Sequence, residues 1–115
     1  MELELAKLLL PEGVSEYFDI KDLKEIDGKI HIYLEEKNIL PEEYKSEQAI
    51  SKGFLDEVII EDFPLRGKEV LLHIKRRKWQ LKQSGKSIRR DWKLTANGLK
   101  MTAEFADFLK GIVGE

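Results

Sequence analysis

Ten residues of this chain have the types and the spacing to hold a polyanion. Lys75, Arg76, Arg77, Lys78 and Trp79 are consecutive, and Lys82, Lys86, Arg89, Arg90 and Trp92 follow closely behind them. Lysine and arginine donate hydrogen bonds to phosphate oxygens, and arginine does so through a planar fork. On a two-stranded ribbon side chains alternate between faces, so about half of these cations would point together. Such a ribbon is narrow enough to enter a major groove or to lie along a phosphate backbone. A tryptophan among them could stack on a base or anchor the ribbon to a core. A second reading stands beside this one: basic strands also cover apolar surface with their stems and pair with acidic residues elsewhere in the chain.

The charge distribution sharpens the first reading. The 115-residue chain has a formal net charge of only -2. Residues 64–100 nevertheless hold twelve Lys and Arg against Glu69 and Asp91, a local +10, which leaves eight against twenty, or -12, for the rest. At cellular salt a charged patch is felt only within about 8 Å, so the local sign matters more than the total.

Other chemistry finds little material. With no cysteine there is no disulfide framework, no thiolate zinc site and no cysteine nucleophile. His31 and His73 are far apart in sequence, with no third ligand at metal-binding spacing. Pairs such as Glu35-Glu36 and Glu42-Glu43 read as solvated surface rather than as acid and base partners. Gly85 and Gly98 stand alone, so no glycine-rich phosphate cradle exists, and no serine occupies a nucleophile elbow. The expectation is a non-catalytic chain without metal or cofactor. No apolar run approaches the roughly 18 residues that cross a bilayer. Glu2 and Glu4 stand where a secretory signal would carry positive charge, so the chain is expected to be soluble and cytoplasmic.

The elements that must position the basic segment follow from periodicity. Leu3, Leu5, Leu8 and Leu9 suggest a short helix stopped by Pro11 and Gly13. Ile20, Leu23 and Ile26 are followed by Asp27-Gly28 and then by Ile30, Ile32 and Leu34, the pattern of a hairpin with a type I′ turn. Residues 35–52 read as a loop with a helical turn near residues 42–48. Strands are expected at 54–60 and 70–77, joined by a turn at 64–67, and a second hairpin turns at Gln83-Ser84-Gly85 and returns over 88–94. Met101, Phe105, Phe108, Leu109 and Ile112 define an amphipathic helix, with Thr102 as its N-cap. The expectation is a single α+β domain over 1–115: a small antiparallel sheet of two hairpins between a short N-terminal helix and a C-terminal amphipathic helix.

The run Asp62-Phe63-Pro64-Leu65-Arg66-Gly67-Lys68, the strand at 70–74 and Arg76-Arg77-Lys78-Trp79 together resemble the N-terminal region of insertion-sequence transposases that open with a zinc-ribbon-like domain. In that family an Arg-Arg-aromatic stretch leads into a cysteine pair. Here Gln80 and Ser84 stand about where the pair would be, and residues 38–41 hold no earlier pair, so the resemblance implies a degenerate ribbon without metal. The tail, from Asp91-Trp92-Lys93-Leu94 through Met101 to Lys110, resembles the split form of these transposases, in which a short first reading frame encodes only the N-terminal region. The resemblance implies recognition of transposon ends by DNA contacts, with strand transfer carried out by a separately encoded catalytic polypeptide. Two alternatives remain open. One is a protein-interaction module that holds such a partner through the apolar helix face and the acidic half of the chain; the other is RNA binding by the same ribbon.

With no thiol and only two histidines to replace thiolates, the usual nitrogen and sulfur donor set of a structural zinc is missing, and metal is expected to have no structural part. Thermal unfolding with and without a strong chelator should therefore coincide, and a fall of several degrees on chelation would reveal a metal site.

Overall fold

In the computed structural model, which describes residues 3–92 and 103–113, seven strands form two sheets, and the helices are few and mostly short. The chain begins with a turn of helix, α1 (Leu3–Ala6), continued by a 3-10 turn at Lys7–Leu9 and by a second short helix, α2 (Val14–Tyr17). Strand β1 (Phe18–Ile26) pairs antiparallel with β2 (Lys29–Glu36). Asp27 and Gly28 both have positive φ, 52° and 76°, as a type I′ turn requires. A register shift between Ile20 and Asp22 sets Ile20 opposite Leu34 and Leu23 opposite Ile32. That bulge lets apolar residues spaced by three share one face of a strand.

Strand β4 (Val58–Leu65) turns through Arg66 and Gly67 into β5 (Lys68–Lys75). The turn is the pair Arg66-Gly67, and Pro64 lies within the strand, near a second register shift between Asp62 and Leu65. The two hairpins join through a parallel pairing of β2 with β5, giving the order β1-β2-β5-β4. Ile32, Leu34, Val70, Leu72 and Ile74 are at most 1% exposed on one face of this sheet. Packed with them are Ala6, Val14, Phe18, Trp92 and, from the C-terminal helix α3 (Ala103–Val113), Phe108 and Ile112. The helix lies close against the edge strand because Gly111 has no side chain: a Cβ there would fall 2.7 Å from Ile60 Cδ1.

The second sheet has the order β3-β6-β7, built from β3 (Ala49–Phe54), β6 (Arg77–Leu81) and β7 (Ser87–Arg89). Only Arg76 separates β5 from β6, so one nearly continuous run of chain serves both sheets. The α+β class is as expected, and the arrangement is richer: two sheets in place of one, with a parallel junction. Strand β3 falls in the expected loop at 35–52 and in the first residue of the expected strand at 54–60, and that strand is interrupted at 55–57. The loop does contain the expected helical turn, as a 3-10 turn at Glu42–Tyr44. The return strand ends at Arg89 rather than continuing to 94. Leu94, Met101, Thr102 and the side chain of Phe105 lie outside what is described.

Phe108 is 2% exposed and meets Phe18 edge-on, with ring centroids 5.7 Å apart. Phe108→Ala should destabilise the fold by about 3–5 kcal/mol in chemical denaturation, the range for emptying a buried aromatic site.

Candidate nucleic-acid interface

Alternation along β6 and β7 divides the basic segment into two populations. Trp79, Leu81 and Ile88 turn inward and form a small core with Leu40, Tyr44 and Ala49. Lys78 and Gln80 therefore point the other way, where register places Lys78 opposite Arg89 and Gln80 opposite Ser87. The connecting tip carries exposed Lys82 and Lys86. It is held by Gly85 N–H donating to Leu81 O (2.9 Å), Gln80 Nε2–H donating to Gly85 O (3.1 Å) and Lys86 N–H donating to Ser84 Oγ (3.2 Å). Lys75 is exposed at the end of β5. Among the described residues no carboxylate pairs with Lys75, Lys78, Lys82, Lys86 or Arg89. Like charges directly opposite on adjacent strands are destabilising, on the order of a few tenths of a kcal/mol or more. The fold tolerates that repulsion at Lys78 and Arg89.

The other population is structural. Trp79 is 1% exposed, and its Nε1–H donates to Asn38 Oδ1 at 2.8 Å. Trp92 stacks on Phe18, with centroids 5.4 Å apart, and meets Tyr17 edge-on. Of the two roles open to a tryptophan here, both residues occupy the anchoring one, and neither presents a ring to a base. Arg77 and Arg90 are also taken. Arg77 Nε–H donates to Glu36 O (3.0 Å), its NH1 donates to Ser51 Oγ (2.6 Å), and its guanidinium lies over the Phe54 ring. Arg90 is buried; its Nε–H donates to Glu36 Oε2 (2.9 Å) and its NH2 to Ile39 O (2.6 Å). Arg76 is half-buried at the joint, with its Nε enclosed and unpartnered. The basic face is thus built from Lys78, Lys82, Lys86 and Arg89, with Lys75 and Arg76 across the joint.

Glu36 is the acceptor that removes the two arginines from the surface. It ends β2, is 1% exposed, and also accepts the backbone N–H of Arg77 at 2.9 Å. Burial lifts its carboxyl above the usual carboxylate range, against the opposing hydrogen bonds from Arg90 and from the Arg77 backbone. From sequence Glu36 read as solvated. The missing signal is tertiary, because its partners lie 41 and 54 residues away.

One further cluster joins residues that sequence left apart. The parallel register sets Tyr33 opposite His73, and His31 Nδ1 lies 2.8 Å from His73 Nε2. His73 Nδ1 is 3.0 Å from Glu57 Oε1, and the Tyr33 ring stacks on His73 at 4.4 Å. With Glu57 ionised, His73 Nδ1–H donates to it, which leaves His73 Nε2 to accept from Nδ1–H of His31. Both ring nitrogens of His73 are then used in hydrogen bonds. Among the described residues no group of three or more His, Asp or Glu is arranged to hold a metal ion, and no helix is long and apolar enough to cross a membrane. Compared with family models, curated proteins and solved structures, the chain matches none.

Arg90→Met leaves the Glu36 carboxylate buried without its charged partner and should destabilise the fold by about 3–5 kcal/mol at neutral pH. The sign of the pH dependence follows from the raised carboxyl: a proton on Glu36 favours the folded state, so stability is full below the ordinary carboxylate range and is lost as pH rises. The deficit of Arg90→Met should therefore shrink as the solution is acidified. Adding Glu36→Gln should recover much of it at pH 7. Urea titrations of the single and double variants at several pH values measure both effects.

Proposed function

We propose that the chain is the non-catalytic, DNA-binding N-terminal part of an insertion-sequence transposase, recognising transposon ends in the cytoplasm for a separately encoded catalytic polypeptide. The observation that carries this reading is the outer face of β6 and β7, where Lys78 stands opposite Arg89 with no carboxylate partner among the described residues and with Lys82 and Lys86 at the adjoining tip. A polyanion relieves the repulsion that this arrangement maintains. The motif around Asp62 to Lys68 and the Arg-Arg-Lys-Trp stretch supply the transposase side of the proposal. The state of the tryptophans refines the ligand. With both rings buried, the face lacks the aromatic platform on which single-stranded bases stack, and this favours duplex. Its side chains contact phosphates and set position.

Binding of the full chain to duplex carrying transposon ends should be salt-sensitive. Four phosphate contacts correspond to a slope of about -4 in log K against log salt. Lys78→Ala with Arg89→Ala should flatten the slope by about 2 without lowering the melting temperature, since neither side chain is buried and their mutual repulsion is removed. Single-stranded DNA should bind more weakly than duplex. Absence of duplex binding at low salt would falsify the proposal, and tighter binding to RNA would transfer the face to a different nucleic acid.

A further inference from the structure

Between edge strand β4 and helix α3 lies an open hollow of about 360 Å3. Its floor is apolar: Leu72 and Phe108 belong to the main core, and half-buried Ile60 lies beside them. Phe63, which is 63% exposed, stands on its rim, so the apolar surface extends outward from the hollow. Water over such a floor is readily displaced by an apolar side chain, and the volume lies within the range of sites that bury most of a small ligand.

The rim has the opposite character. Glu61, Asp62 and Glu69 border the hollow from the strands, and Glu104 and Asp107, three residues apart on one side of α3, border it from the helix. Glu69 is paired with Lys29 at 3.1 Å. Among the described residues the other four have no basic partner. Two acidic walls around an apolar floor, of which only Glu69 has a basic partner among the described residues, repel nucleic acid and select a ligand with cations on both sides of an apolar centre. The chain's own cationic tip does not match that description. Between Lys82 and Lys86 it carries only Gln83, Ser84 and Gly85, with no apolar side chain to seat.

We infer that this hollow is the docking site for a cationic, apolar peptide segment of a partner polypeptide. One leucine- or phenylalanine-sized side chain rests on Ile60, Leu72 and Phe108, and flanking lysines or arginines face the carboxylates of β4 and α3. The inference is independent of the nucleic-acid reading, since it uses a different surface and the opposite charge.

The full chain is titrated with three fluorescein-labelled peptides: Lys-Arg-Leu-Phe-Lys-Arg, the same peptide with glycine in place of leucine and phenylalanine, and Glu-Glu-Leu-Phe-Glu-Glu. The first should bind saturably and the other two at least about tenfold more weakly, because apolar and charge complementarity are both required. Asp62→Lys with Asp107→Lys should weaken the first peptide by about tenfold or more without weakening duplex binding. Glu104→Lys, at an exposed position, is the second variant should the double one fold poorly. Failure of the first peptide to bind, equal binding of all three, or indifference to the charge reversals overturns the inference. So does self-association of the chain that the reversals abolish, since the hollow would then belong to a second copy.

Discussion

Where the two sheets meet, an ionisable group is held out of water by the elements it joins. Glu36 closes β2, the central antiparallel partner of the first hairpin, and its carboxylate receives the backbone N–H that opens β6 and the Nε–H of Arg90 just beyond β7. Removing a carboxylate from water costs several kcal/mol, and only near-ideal donors offset that penalty. The offset exists in one arrangement. A slip of β6 along β3 would carry the Arg77 N–H away from Oε1, and a shift of the segment after β7 would separate Arg90 from Oε2. Arg90 also reaches Ile39 O, so the stretch leaving β2 is tied to the same node. The angle between the sheets is therefore fixed by directional bonds, whereas the interior of each sheet is held by apolar packing.

The same node decides which cations are available at the surface. Arg77 and Arg90 spend their donors on Glu36, Ser51 and Ile39, and their guanidinium groups lie over Phe54, Tyr17 and Trp92. Lys78 and Arg89, one residue away on each strand, belong to the opposite face by the alternation of the pleat. A charge-rich stretch thus separates residue by residue into a structural set and a solvent-facing set, and Trp79 and Ile88 beneath the solvent-facing set hold the strands together despite the like charges.

Local signals made part of this legible in the sequence. Asp27-Gly28 marked the first hairpin because positive φ at two successive residues is a demand that few dipeptides meet, and the C-terminal helix was visible in its apolar spacing. The turn at Arg66-Gly67 was drawn toward Pro64, which instead tolerates an edge strand where its missing N–H is not needed. Strand β3 gave little sign of itself: Ala49 and Ser51 face the small core, Ile50 faces out, and Gly53 with φ 85° accompanies a break in the register. Non-local features left no trace. The parallel pairing of β2 with β5, which brings His31 to His73, and the burial of Glu36 both depend on residues about forty positions apart. Composition marked out the ten candidate contact residues, while burial separates Trp79, Arg90 and Trp92 from the rest and hydrogen bonds to Glu36 and Ser51 separate Arg77.

The single-residue joint at Arg76 has a mechanical consequence. Strand β5 is bonded on both sides, to β2 through six registered parallel pairs and to β4 antiparallel, and its chain passes directly into β6. Tension applied to the ribbon is delivered along the axis of β5, where it loads the inter-strand hydrogen bonds in shear. In that geometry many bonds share the load at once instead of opening one after another. The ribbon is thus tethered to an inner strand of the larger sheet, and a pull on it is shared with the strands on either side.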